Sequence, residues 1–448
     1  MTRRTPSGSK LGAFLAKLPK GTVAVGAGLG VMGLTSYGFL LIAARALHPV
    51  GYAEITVVWT VLFTIGPGLF LPLEQECARR ISSAHDGSIA RPALRRIITL
   101  GGLLLAAVVV LSAAAWPLIG TRIFNGDLPL FITTLAATAC LWPVHTSRGM
   151  LAGSGHFGRY GVGLCVDGVL RVVGAAALAL GGSSTAWHYA AVFVVSQLVA
   201  TGVSVIGAHF RYVDGASNGR AHEDSWASIR KVIGWMLVAV LMSQLLANGG
   251  TFAAKAIASP TDPTAGVFLS ALVIARIPLF LFAALQASLL PNIAALIARR
   301  ELIAVRSLVR RVCVALTALG ALATVLLIAF GPELLVFVFG PRFDISRWTL
   351  GLLSLGCLVF MVASALAQVL IAAQRAKDAG IIWVISVVLF LAFLALPIEL
   401  TTRVSLCLLL SSFGGLLLFA YRWTQLERLL ASAPATQTTA VPATEPEA

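Results

Sequence analysis

Negative charge is what this chain has least of. Its 448 residues include 18 Asp and Glu against 33 Lys and Arg, and charged residues of all kinds make up 11%. With 58% hydrophobic residues and a mean hydropathy of +0.91, the chain cannot cover itself with polar surface, which excludes a soluble enzyme. Acids remote from the basic segments are scattered (Glu54, Asp127, Asp262, Glu333, Asp344, Glu399), and no acid–base constellation can be assembled from them. The six cysteines (Cys77, Cys140, Cys165, Cys313, Cys357, Cys407) fall in apolar runs or beside basic segments, so no exported loop carries a pair to oxidise. No P-loop pattern occurs, which removes a built-in ATPase. The longest internal polar stretches, around 78–97 and 209–230, are too short to bury a core, so no soluble domain is expected.

What the chain has is apolar runs. About twelve are long enough to span ~30 Å of hydrocarbon as helices: 22–45, 52–73, 97–119, 129–147, 160–181, 187–208, 231–254, 265–289, 307–330, 348–373, 380–399 and 402–421. The connections alternate between basic and nearly uncharged. Arg45, Arg122, Lys255, Arg342, Arg347 and Arg403 fall on the sparse side and Arg171 and Arg276 lie within runs; every other Lys and Arg is on the basic side. The positive-inside rule therefore places both termini in the cytoplasm. The net charge of +15 is expected in short juxtamembrane loops, carried by Arg79, Arg80, Arg91, Arg95 and Arg96 and by Arg299, Arg300, Arg306, Arg310 and Arg311, where it suits anionic membrane lipids rather than nucleic acid.

The expected organisation is all-α and polytopic. A basic cytoplasmic segment (1–21), whose Leu11, Phe14, Leu15 and Leu18 make an interfacial apolar face, precedes a six-helix bundle (22–208). A cytoplasmic linker (209–230) leads to a second six-helix bundle (231–421), and a cytoplasmic tail (422–448) becomes Ala/Pro/Thr-rich and disordered from about 432. The two bundles repeat one another weakly. Ala44-Arg45-Ala46 followed by Pro49 answers to Ala254-Lys255-Ala256 followed by Pro260; Pro72-Leu73 then Arg79-Arg80 answers to Leu290-Pro291 then Arg299-Arg300. Phe124-Asn125-Gly126 answers to Phe339-Gly340, and Leu151-Ala152 to Ile371-Ala372. Four matches in the same order argue for bundles of like topology, related by a pseudo-two-fold axis along the membrane normal, as in alternating-access transporters.

Some short motifs mislead. Gly28-Leu29-Gly30-Val31-Met32-Gly33 has dinucleotide-binding spacing, but it lies within the first run, follows no strand and has no acidic residue ~20 positions on. With Gly26 it reads as a small-residue face for close helix packing. Gly215-Ala216-Ser217-Asn218-Gly219 matches a nucleophile-elbow pattern without a sheet beneath it, and His222-Glu223-Asp224 lacks a second ligand set. No cofactor or metal is expected.

Cations within hydrocarbon are sharper signals, because each costs roughly 2.5–3.5 kcal/mol on insertion scales. Arg276, beside Pro278 in the eighth run, has no partner in its own helix; it reads as a cavity-lining cation or as one half of a salt bridge to another span. Asp167 and Arg171 are spaced to pair one helical turn apart, as a structural pair or with Asp167 in a proton relay. Arg45 and Lys255 occupy matching positions in the two bundles, either snorkelling to headgroups or facing a central cleft, where such cations would bind a pyrophosphate. Gln244, Asn248 and Gln368 are candidates to line the same cleft.

Four segments carry a family resemblance: ARALHPVGYAE, SRGMLAGSGHFGRYG, AGVFLSALVIARIPLFLFAALQASLLPNIAAL and ELLVFVFGPRF. Over about residues 20–425 the chain resembles the polysaccharide (O-antigen-type) flippases of the multidrug/oligosaccharidyl-lipid/polysaccharide exporter superfamily. The resemblance implies a multi-pass protein of the bacterial plasma (inner) membrane that flips an undecaprenyl-pyrophosphate-linked oligosaccharide between leaflets for surface polysaccharide export. It also implies glycosyltransferases and a polysaccharide polymerase as pathway partners, with Arg45, Lys255 and Arg276 in the place of the cavity cations. No covalent bond is broken, so no enzyme activity is expected. Drug exporters of the superfamily often carry an acidic residue in the first span, where this chain has only Ser36 and Tyr37, and lipid II flippases commonly have further spans. A peptidoglycan-precursor flippase and an ion-coupled drug exporter stand as alternatives, with a membrane glycosyltransferase or glycan polymerase as the alternative from another class.

Overall fold

A chain that crosses lipid must satisfy its own backbone, and helices do so within one segment. The computed structural model describes residues 22–82, 89–213, 226–259, 262–279, 282, 293, 296, 297, 299 and 301–432. The head 1–21, the Gly215–Gly219 motif, the His222-Glu223-Asp224 cluster, the Pro260, Leu290-Pro291 and Arg300 members of the repeat and the tail from 433 lie outside the described residues.

Helix α1 (Thr22–Ile65) is bent at His48 (φ 54, ψ 179) and so holds the first span and the start of the second. Pro49 lacks an N–H and drives the preceding residue to an extended ψ, which ends the first span there. The second span passes through a π-helical turn, Gly66–Phe70, into α2 (Leu71–Ser82). There follow α3 (Arg91–Ala114), the short α4 (Trp116–Ile123), α5 (Leu128–Gly153), α6 (Phe157–Leu180) and α7 (Ala186–Val205). The second half comprises α8 (Trp226–Ile257), α9 (Thr264–Ala275), α10 (Leu302–Phe339), α11 (Arg347–Ala372), α12 (Ala376–Phe393) and α13 (Leu400–Ser432). Among the described residues, 10 helices are long and apolar enough to cross a membrane; the first, Ala24–Ser82, holds two spans, and Thr264–Ala275 begins another.

Several helices run past the hydrocarbon length expected of them. The second span continues to Ser82, the third starts at Arg91, and the ninth covers Leu302–Phe339. Arg79, Arg80, Arg91, Arg95, Arg96, Arg306, Arg310 and Arg311 therefore sit on helix ends rather than in loops. Long cationic side chains reach headgroups from such positions, so the helix need not stop where apolar residues do. These residues mark what is called below the basic face. On that face a two-residue parallel pairing, Ile89 with Tyr212 and Ala90 with Val213, ties the loop before α3 to the start of the inter-half linker.

The halves repeat in packing as well as in sequence. In the first half α1 packs on α6, α2 on α5, α3 on α5, α5 on α7 and α6 on α7. In the second, α8 packs on α12, α9 on α11, α10 on α11, α11 on α13 and α12 on α13. This is an all-α polytopic membrane fold of two like helical bundles. Pro67 and Pro278 are separated by the same interval as Pro49 and Pro260, and both interrupt their spans: the first at the π turn, the second where α9 ends at Ala275.

The glycine-rich stretch of the first span divides by face. A Cβ at Gly28 would lie 2.7 Å from the carbonyl oxygen of Gly161, so α1 and α6 meet backbone to backbone there. Gly26, Gly30 and Gly33 meet nothing within 4 Å. Only Gly28 of the pattern serves close packing; its companions point away from α6 because helical spacing puts them on the other side of the cylinder.

Candidate functional site

The open face of α1 leads to the seam between the halves. Gly26, Gly30, Gly33 and Tyr37 follow helical spacing, and Tyr37 reaches across to α9, its hydroxyl donating to the carbonyl oxygen of Val273 (3.4 Å). Beyond Tyr37, away from the basic face, the seam is closed. Gly266 of α9 lies against the carbonyl of Pro49 with no room for a side chain. Tyr52 packs edge-on to Phe343 (centroids 5.7 Å) and against Phe339 (5.8 Å). On the near side of Tyr37, Leu34 is 78% exposed and the glycines face open space among the described residues. Along this line the described contacts between the halves start at Tyr37 and lie on its side away from the basic face. The second span closes the seam along another line, where a Cβ at Gly68 would lie 2.8 Å from Leu241 of α8.

Close to the Tyr37–Val273 contact the eighth span is broken. Arg276 caps α9 with its N–H on Leu272, and Leu279 N–H returns to the Arg276 carbonyl, three residues back instead of four. Pro278 has no N–H to offer Ile274, so the ladder cannot continue. Broken helices at mid-membrane leave backbone groups free for side chains or cargo, and Tyr37 takes one of them. Arg276 turns to α8: it donates to Asn248 Oδ1 (3.0 Å) and to the carbonyl of Ala247. Asn248 is held in turn by its own donation to Gln244 (3.0 Å). Tyr37 and Cys357 lie within electrostatic range of the guanidinium, and among the described residues no carboxylate pairs with it. Gln368 is half-buried on α11.

The other two candidate cations lie further from the basic face. Arg45 is exposed and donates from Nε to the carbonyl of Val338 and from Nη2 to that of Phe337, both 3.2 Å. These belong to the last turn of α10, whose carbonyls have no helical partner, so the contact caps α10 across the seam. Lys255, only 3% exposed, lies within electrostatic range of Glu54, whose carboxylate accepts from Asn125 Nδ2 (2.5 Å). The structure thus brings Arg276 to the seam beside the Tyr37–Val273 contact and puts Arg45 and Lys255 further from the basic face.

Asp167 and Arg171 lie inside the first half. Asp167 Oδ2 receives Arg171 Nη2 at 2.6 Å, its Oδ1 receives the Ser196 hydroxyl at 2.9 Å, and Arg148 Nη2 stands 3.8 Å away. The Arg171 guanidinium also lies over the Phe193 ring (4.9 Å). A small cavity opens here, with Ser147, Arg148, Asp167, Gln197, Thr201 and Ser204 among its lining residues.

One buried polar cluster has no counterpart among the sequence-derived candidates. Glu74 of α2 is bonded through Oε2 to His145 Nδ1 of α5 and through Oε1 to the Tyr160 hydroxyl of α6, both at 2.6 Å. The available signal is an ionisable residue, His145, within an apolar run; its partners are far off in sequence and Glu74 lies beyond the expected end of its span.

No family model matches the chain. It is 26% identical over 443 residues to an uncharacterised protein of Mycobacterium tuberculosis, covering 92% of this chain and 94% of the relative. A second uncharacterised M. tuberculosis protein is 26% identical over 419 residues, covering 89% and 90%. Among solved structures, a MOP superfamily transporter from Pyrococcus furiosus, described as having a binding pocket of reverse polarity that suggests a different function, superposes with a TM-score of 0.67. That match is 15% identical and covers 92% of this chain and 95% of the other. A multidrug resistance MATE family transporter of the MOP superfamily matches in an outward-facing conformation (TM-score 0.66, 14% identity, 92% and 96% covered). Such a transporter also matches in an inward-facing conformation (0.62, 14%, 93% and 100%). At these identities what is shared is the fold: this chain has the all-α architecture of the MATE transporters of the MOP superfamily.

Proposed function

We propose that the protein is an alternating-access transporter of the bacterial plasma membrane that moves an undecaprenyl-pyrophosphate-linked oligosaccharide from the inner to the outer leaflet. The observation that carries this reading is Arg276. A guanidinium held at the seam between two bundles, by an amide and a carbonyl rather than by a carboxylate, keeps its charge available to an anionic cargo. Alternating access would open the seam in turn to the basic face, which the positive-inside rule makes cytoplasmic, where a lipid-linked precursor is assembled. Lys255 and Arg45 lie further from the basic face than Arg276, on the path an emerging anion would follow once that end of the seam parts. Glycosyltransferases that build the cargo and a polymerase that consumes it are the partners this role requires.

A second reading, export of drugs, is favoured by the architecture shared with multidrug transporters. Proteoliposomes carrying undecaprenyl-linked oligosaccharide separate the two. Exposure of the glycan to an external probe by wild type, and its loss in a correctly inserted Arg276→Ala variant, supports the flippase. Dye or drug efflux without glycan exposure selects the exporter.

A further inference from the structure

We propose that Glu74, His145 and Tyr160 form a proton-binding latch on the π turn of the second span, and that it sets how this span meets α8. The proposal rests on the alternating-access reading of the two halves, though not on the cargo.

The imidazole of His145 touches the π turn from three directions. Its Nδ1 is bonded to Glu74, one turn beyond the π segment, and Phe70, the last residue of that segment, stacks on the ring (6.2 Å, 21°). A Cβ added at Gly66, its first residue, would meet Nε2 at 3.4 Å. On its other side the same turn meets the second half closely, through Gly68 and Leu241. One ring therefore spans the irregular turn from end to end, and the turn is itself a contact between the halves. π turns hold fewer favourable contacts than α-helix and recur where a helix changes shape.

The chemistry at the ring is that of a proton acceptor. With a neutral imidazole donating from Nδ1, the Glu74–His145 pair carries one negative charge among buried side chains (6% and 8% exposed). A proton taken from water at the basic face onto Nε2 cancels that charge and puts a new donor against Gly66. Nearby ionised groups are largely committed elsewhere. On α2, Glu76 is bridged to Arg79 (2.8 Å) and Arg80 (2.7 Å), and on α6 Asp167 is paired with Arg171. Arg148, three residues on from His145, lies over the Tyr160 ring (6.0 Å) and is the cation that moderates the cluster. Cys77 neighbours Glu74, α3 contributes Arg91, Arg95 and Arg96 nearer the basic face, and α7 contributes His188 and Tyr189, at its opposite end. Among described side chains α8 offers Lys255, also at the opposite end.

The test needs no cargo. Nitroxides on ketone-bearing residues at positions 206 and 303, exposed on the basic side of each half, report the separation of the halves in lipid nanodiscs by electron–electron double resonance, with native thiols kept. Wild type is expected to change the ratio of its distance populations between pH 5.5 and 8.0 by about tenfold or more, the response when one state binds a proton that the other does not. Glu74→Gln removes the charge while its amide oxygen can still accept from His145 and its amide N–H can donate to the Tyr160 hydroxyl, and His145→Gln keeps a polar side chain without the titration; both should flatten the response, while His188→Gln should not. A wild type indifferent to pH, or a response unchanged in either Glu74→Gln or His145→Gln, overturns the proposal. If His145→Gln does not fold, Glu74→Gln carries the test. Failure of glycan exposure leaves this result standing, and a flat pH response leaves the flippase reading untouched.

Discussion

The Tyr37 hydroxyl donates to the Val273 carbonyl across the seam, at the level where the first span ceases to face open space and begins to touch the second half. This bond links a side chain of one bundle to a broken helix of the other, so it should respond to any motion that parts them. At 3.4 Å it is long, and its net worth is about 0.5–1 kcal/mol. Tyr37→Phe should therefore shift the population of seam-closed molecules by about two- to fivefold, read as a change in label distances across the seam.

Arg276 holds two hydrogen bonds with a planar fork that a lysine cannot reproduce. Arg276→Ala should lower the initial rate of glycan exposure about tenfold or more at matched insertion, with Arg276→Lys intermediate. Asn248→Ala, which frees the guanidinium without removing it, should lose less. An Asn248→Ala variant as impaired as Arg276→Ala would assign Arg276 to holding α8 and α9 together rather than to the cargo.

The exposed guanidinium of Arg45 caps two carbonyls of α10. Its loss should cost about 1 kcal/mol of stability, seen as a fall of a few degrees in the thermal midpoint in nanodiscs. The loss should shrink in high salt, since an exposed charge–dipole contact is screened.

Asp167→Asn leaves Arg171 buried without its counter-charge and should destabilise the first half by about 3–5 kcal/mol, less if Arg148 and Arg171 relax apart. Replacing both, Asp167→Asn with Arg171→Leu, should recover part of that loss. Thermal unfolding followed by tryptophan fluorescence measures both; a double variant no better than the single would locate the energy in the Ser196 and Phe193 contacts instead.

Spans were legible because a bilayer admits little but apolar helices, so hydropathy and Lys/Arg placement are strong constraints. Asp167 and Arg171 were visible as a pair because four-residue spacing alone brings them onto one helix face. Pro278 showed that the eighth span could not run straight, but not that Arg276 would turn to Asn248. What stayed hidden are contacts that the chain makes with itself at long range. Arg45 finds its carbonyls 293 and 292 residues away, and Glu74 finds His145 and Tyr160 at separations of 71 and 86. Helix ends were also set too early, because cationic side chains extend a helix beyond its apolar stretch.

The π turn at Gly66–Phe70 acts as a phase shift in the chain. It accommodates one residue more than an α-helical turn, so everything after it is rotated by ~100° relative to an uninterrupted helix. Tyr52, before the turn, faces Phe339 and Phe343, while Glu74, after it, faces His145; an unbroken helix could not present both. Deleting one residue between 66 and 70 would restore a regular helix at the expense of that double address, leaving one end of the span pointing at lipid.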